Sequence, residues 1–299
     1  MTTALPSLAA LYVRLACVPL IWGGTFIAAR VVSAHLPPAT AAALRFVFAA
    51  LALLAAVRLS RGWRAMGQLG WRQLAATAAL GATGVLAYNL LFFRALAVLP
   101  AGRASVIVAL TPVVTLVLAA VVLGDRLSPR RWGGVVMALA GVWAVVTRGD
   151  LSQLAVAAGR GELAMFGAVC AWAVYTLVGR TMLREVPPLV ATAWAAVWGV
   201  IFLVPVAWFE RAQVRMADVT IGTFAGLVFL GVLGTAVGFV WYSEGVQRLG
   251  SDRAVVFNNL VPVFGVALGW MLLGEPVGSS ALLGGALAVA GVFVVNRAA

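Results

Sequence analysis

The stretch PVVTLVLAAVVLGD, Pro112 to Asp125, returns 150 residues later as PVFGVALGWMLLGE, Pro262 to Glu275. Each copy is an apolar run opened by proline and closed by glycine and an acid. The same offset relates Trp22 to Trp172, Arg30 to Arg180, Pro37 and Pro38 to Pro187 and Pro188, and Gly81 and Gly84 to Gly231 and Gly234. It further relates Arg103 and Ala104 to Arg253 and Ala254, Gly134 to Gly284, and Gly141 to Gly291. Coincidences of Gly and Ala are common in so biased a composition, but paired Trp, Arg and Pro at one fixed offset mark a duplication.

The composition sets the solvent. With 64% hydrophobic and 10% charged residues, the chain lacks the polar surface a soluble fold of its size needs, so lipid surrounds it. A helix crossing the hydrocarbon core takes about 20 apolar residues. Such runs fall near 8–32, 38–57, 72–93, 101–123 and 131–147, then 162–181, 188–208, 218–243, 252–273 and 279–296. The expectation is an all-α membrane protein of ten transmembrane helices in two five-helix repeats, 1–149 and 150–299, forming one membrane domain. Five spans per repeat is an odd number, so the second repeat enters the bilayer inverted. Inverted repeats characterise transporters that alternate access around a central site.

The net charge of +12 comes from 21 arginines, with no lysine, scattered at helix ends. The positive-inside rule accounts for them better than nucleic acid does. With the N-terminus inside, thirteen arginines face the cytoplasm and seven the outside, Arg45 lying within a span, so both termini are expected in the cytoplasm. The first apolar run lacks a basic region before it and a small-residue cleavage site after it, and reads as a retained helix. Cys17 and Cys170 fall within apolar runs and read as small packing residues. No stretch is left for a soluble catalytic domain, and no cluster of His, Asp and Glu or base beside a nucleophile falls within the spans. Neither an enzyme nor a metal or cofactor site is expected.

Specific motifs carry a resemblance. Trp22-Gly23-Gly24-Thr25-Phe26, Leu44-Arg45-Phe46 and Ala95-Leu96, ahead of Thr111-Pro112-Val113 and Gly124-Asp125, resemble the EamA-type drug/metabolite transporters. The second half repeats the later part as Val261-Pro262-Val263 and Gly274-Glu275-Pro276, followed by the glycine-rich run Gly284 to Gly291. The resemblance covers the whole chain and is specific for the family, not for substrate. It implies a ten-span inverted-repeat carrier of small molecules, multi-pass in a bacterial inner membrane. Members export amino acids, take up or expel metabolites, or move drugs; the aromatic and neutral amino acid exporters of the YddG type look most similar.

Polar groups deep in a span are costly without partners and are the first candidates for a pathway. Asn258 and Asn259 precede Pro262, whose missing N–H frees a carbonyl about one turn upstream. These amides suit the ammonium and carboxylate of an amino acid, or alternatively bond between helices. Pro112, with Ser105 and Thr111, holds the equivalent place, so Pro112 and Pro262 are the candidate helix breaks. Tyr88, Asn89 and Phe92 share one helical face, an aromatic wall with an amide at its edge. Trp22, Trp172 and Tyr175 lie well inside spans, where an indole N–H faces protein or a cavity. Trp241, Tyr242 and Glu244 are read as closing the eighth span, as interface anchors or substrate contacts. Arg45 is read as a structural charge, snorkelling or bonded to helix carbonyls. The glycines of the fifth and tenth spans permit close helix contact, so these spans pack together or dimerise away from the pathway.

All nine acids fall in loops or near span ends, leaving no proton relay at mid-membrane, and organic cations become poor candidates. The leading reading is a secondary transporter exporting neutral and aromatic amino acids or similar metabolites by alternating access, without an obvious proton relay. It is read as a facilitator running down the substrate gradient, coupling through Glu244 being the alternative. Its partners are a small-molecule substrate and the lipid bilayer, with no nucleic acid and the oligomeric state left open. Transport of other metabolites or drugs is the alternative within the class. A channel or sensor is the alternative outside it.

Overall fold

A computed structural model describes residues 8–124, 127–147, 159–183, 186–215, 217 and 219–297. The described residues form helices and connecting turns, without a strand. The first half holds α1 (Leu8–Ser33), α2 (Pro38–Ser60), α3 (Trp71–Leu96), α4 (Ala101–Val108 and Thr111–Leu123) and α5 (Pro129–Val146). The second holds α6 (Arg160–Met182), α7 (Pro188–Glu210), α8 (Ile221–Leu249), α9 (Ser251–Asn258 and Val261–Leu273) and α10 (Ser279–Arg297). Among the described residues nine helices are long and apolar enough to cross a membrane. The 18-residue α5, with Arg130 and Arg131 in its first turn, falls outside the nine. The boundary read at 149/150, and the loop acids Asp125, Asp150, Glu185 and Asp218, lie outside the described residues.

Local chemistry sets the boundaries. Pro38, Pro129 and Pro188 each stand at the first helical position, where a missing N–H costs nothing. Gly124 and Gly274, at φ of 74° and 64°, end α4 and α9 in the left-handed conformation a side chain resists. One boundary departs from the sequence reading. The eighth span was expected to end at 243, but α8 runs on to Leu249 and stops before Gly250, whose φ is 87°. Glu244, which interrupts the apolar run, lies within the helix and pairs with Arg14 of α1 at 2.7 Å.

Two irregularities recur in both halves. α3 contains a π-helical segment, Gly81–Ala87, and α8 contains another, Phe229–Val237, at overlapping places on the 150-residue offset. α4 and α9 are each interrupted just before their proline, at 109–110 and 259–260. Such departures from regular helix are typically tied to function.

The halves interlock. α2 packs along α7 and α5 along α10; α1 lies against α9 as α6 lies against α4. Gly81 of α3 meets Ala195 and Trp198 of α7, and Gly231 of α8 meets Arg45 and Phe48 of α2, so the same contact is built twice. A Cβ on Gly231 would stand 2.7 Å from that of Phe48, closer than atoms approach. The α5–α10 contact is just as close, with a Cβ at Gly291 falling 2.7 Å from Ala138 Cα. Two acids tie the halves at helix starts. Glu275 accepts from the N–H groups of Ala101 and Gly102 at 2.7 and 3.0 Å, and Glu210 from that of Thr40 at 2.9 Å. A carboxylate there satisfies orphan donors and the helix dipole together.

Candidate functional site

Both helix breaks, both π-helical segments and the middles of α1 and α6 border one cavity of about 210 Å³. Aromatic side chains cluster in its walls. Trp172 stacks on Tyr175 at 4.7 Å and meets Tyr88 at 5.2 Å, while Phe239 bridges Trp172 and Trp22 at 5.8 and 5.7 Å. Trp22 and Trp172, equivalent by the repeat, thus face the same space from opposite halves. The Trp22 indole N–H donates to the carbonyl of Gly234 at 3.0 Å.

The polar lining divides into spent and unspent groups. The hydroxyls of Thr25, Ser105, Thr111 and Thr192 donate to carbonyls of their own helices at 2.6 to 2.8 Å. Thr111 takes the carbonyl of Val108, four residues before Pro112, which that proline leaves without its usual N–H. At the equivalent place in α9 stands Val261, which has no hydroxyl to offer the carbonyl of Asn258. The buried Oδ1 of Asn258 and Nδ2 of Asn259 have no hydrogen-bond partner.

Arg45 is the one charged residue among the described residues lining the cavity. It is 7% exposed, donating from Nη1 to Asn89 Oδ1 at 2.9 Å and from Nη2 to Thr235 Oγ1 at 3.3 Å, with a buried Nε lacking a partner. The sequence reading offered snorkelling or bonds to helix carbonyls; the guanidinium is instead buried and bonded to two neutral side chains. Those side chains are fixed in turn. Asn89 Nδ2 donates to the carbonyls of Gly84 and Val85, and Thr235 Oγ1 to that of Leu230, all within the π-helical segments.

Trp22, Tyr88, Asn89, Trp172, Tyr175, Asn258 and Asn259 all line the cavity, with Pro112 and Pro262 at its breaks. Phe92 does not. It stacks on Tyr88 at 5.5 Å as its spacing implied, but it is buried behind the wall, edge-on to Phe26. α10 was expected to stand clear of the cavity, yet Val289 and Val292 reach it, because Gly284 and Gly291 occupy the face toward α5 and leave other faces of the helix to apolar side chains. Tyr242 lies inside α8 with its ring 5.4 Å from Trp22, and Trp241 lies under the Arg14 guanidinium. Neither closes the span. Sequence reasoning missed Thr235 and Phe239. Both were reachable: Thr235 follows the paired glycine Gly234, and Phe239 is the repeat equivalent of Asn89.

Comparison with known proteins agrees with this architecture. The EamA-like transporter family profile matches residues 9–147 and again 159–297. A Bacillus subtilis protein named uncharacterized transporter YyaM is 27% identical over 288 residues, covering 96% of this chain and 93% of its own. A probable terminal-alkyne amino-acid exporter from Streptantibioticus cattleyicolor is 32% identical over 227 residues, covering 76% of this chain and 74% of its own. A probable amino-acid metabolite efflux pump from Salmonella typhimurium is 26% identical, covering 93% and 91%. A solved crystal structure, 22% identical, covers 96% of both chains with a TM-score of 0.65, a likeness of fold.

Proposed function

This chain belongs to the EamA-like transporter family, and from that premise we propose that it is a secondary transporter exporting neutral and aromatic amino acids, or similar small metabolites. Transport proceeds by alternating access around the central cavity. Its ten spans form two repeats of inverted orientation, residues 1–149 and 150–299, with both termini in the cytoplasm of a bacterial cell. The observation that carries this reading is the position of the cavity. It lies between the halves, with Trp22 and Trp172 facing it from equivalent places and a helix irregularity beside it in each half. Rocking one half against the other would expose such a space to each side in turn. The aromatic walls suit an apolar side chain, and Asn258 and Asn259 offer unspent polar atoms for the head of an amino acid. One relative named a probable terminal-alkyne amino-acid exporter and another named a probable amino-acid metabolite efflux pump lend weight to the substrate class.

Purified protein in liposomes tests this directly. Saturable counterflow of labelled neutral and aromatic amino acids is expected, weakened by Tyr88→Ala or Asn258→Ala. Flux confined to nucleosides, sugars or cationic dyes would reject the substrate class.

A further inference from the structure

We propose that Arg45 binds the carboxylate of the substrate, so that the cavity selects small carboxylates over their amides and amines. The proposal rests on the cavity being the transport site. A guanidinium moved from water into a protein interior within a membrane loses several kcal/mol of hydration, which neutral acceptors restore only in part. Arg45 has no carboxylate within ion-pair reach among the described residues, and none of the described residues lining the cavity is acidic. Among the described residues nothing neutralises its charge, which an entering anion would do.

The duplication offers the same place in the fold without this charge. Arg45, Asn89 and Thr235 correspond by the 150-residue offset to Ala195, Phe239 and Val85. At the equivalent junction Gly81 meets the Ala195 backbone as Gly231 meets that of Arg45, and all three corresponding side chains are apolar. A polar cluster introduced on one side of a symmetric cavity, at the cost of burying a cation, is explained by what it binds. Its geometry is suited to that work. Asn89 and Thr235 are held by backbone carbonyls and in turn hold the guanidinium, while Phe46 and Phe92 flank it at 5.4 and 5.9 Å. The planar fork is thus fixed before the ligand arrives, and a carboxylate meets charge-assisted donors in a site of low dielectric.

The test uses the wild-type protein in liposomes. Counterflow of labelled L-phenylalanine is competed with 3-phenylpropanoate, which keeps the carboxylate, and with L-phenylalaninamide and phenethylamine, which lack it. Competition by 3-phenylpropanoate, with the amide and amine weaker by about tenfold or more, is the expected result. Equal competition by the amide overturns the carboxylate site while leaving an amino-acid-like transporter in place. Transport of a carboxylate that is not an amino acid supports the site and replaces the amino-acid reading. A transported substrate with no carboxylate overturns the site. Arg45→Gln, monodisperse and at wild-type yield, is expected to lose phenylalanine counterflow, with Arg45→Lys recovering part of it; undiminished counterflow in Arg45→Gln overturns the proposal. Where Arg45→Gln does not fold, the wild-type competition decides alone.

Discussion

The indole N–H of Trp22 donates at 3.0 Å to the carbonyl of Gly234, a bond from α1 of the first half into the π-helical segment of the second. A π turn shifts the backbone register and leaves carbonyls for other donors. Replacing the indole by a phenyl ring keeps the apolar wall and removes the donor. Trp22→Phe should therefore destabilise the protein by about 1–3 kcal/mol, the cost of a buried acceptor left unpaired. Thermal unfolding in detergent measures this; an unchanged midpoint would show that the bond contributes nothing to the junction.

The glycines at crossings between the halves make a sharper contrast. A Cβ at Gly231 would stand 2.5 Å from the Arg45 carbonyl oxygen, and backbone on both sides cannot yield. Gly231→Ala is expected to lose folded yield and transport together. Gly70→Ala is its control, because nothing lies within 4 Å of that position and its φ of −68° suits any residue. Monodispersity on size exclusion should be lost in the first variant only.

The same reasoning distinguishes neighbouring glycines on α5. Gly134 and Gly141 face α10 at close range, whereas Gly133 faces open space. Gly141→Ala should lower the thermal midpoint well beyond Gly133→Ala, whose own effect should be slight or stabilising, since alanine favours helix by about 1 kcal/mol over glycine. Equal midpoints would mean that the two helices separate without cost.

What the sequence made legible, and what it did not, follows from the range of each interaction. Apolar runs, prolines and capping glycines act within about one turn, so most helix boundaries and both proline breaks could be placed in advance. The repeat alone makes Trp22 and Trp172 equivalent positions inside spans. Phe92 was misplaced because spacing along α3 shows which residues share a face, not how deep that face is covered. The end of α8 was misread because its last turns are polar while still helical, with Glu244 meeting its partner Arg14 230 residues away in sequence. The surroundings of Arg45 were illegible for the same reason, its partners lying on α3 and α8.

Glu244 also bears on energy coupling. It is the acid nearest Trp241 and Tyr242 in sequence, but its carboxylate is engaged by Arg14 and it does not line the cavity. Transport should run down the substrate gradient without acceleration by an imposed pH gradient, and Glu244→Gln should leave that insensitivity unchanged. Partly exposed pairs contribute at most about 1 kcal/mol, so the variant should fold normally. Uphill accumulation driven by pH alone would contradict a facilitator.

The most direct measurement of alternating access places one thiol in the cavity. With Cys17 and Cys170 replaced by alanine, Ala109→Cys stands at the break of α4 on the cavity wall. In oriented proteoliposomes a membrane-impermeant thiol reagent should label it from either side, with saturating substrate shifting the ratio of the two rates. Labelling from one side alone, unmoved by any transported substrate, would contradict alternating access around this cavity.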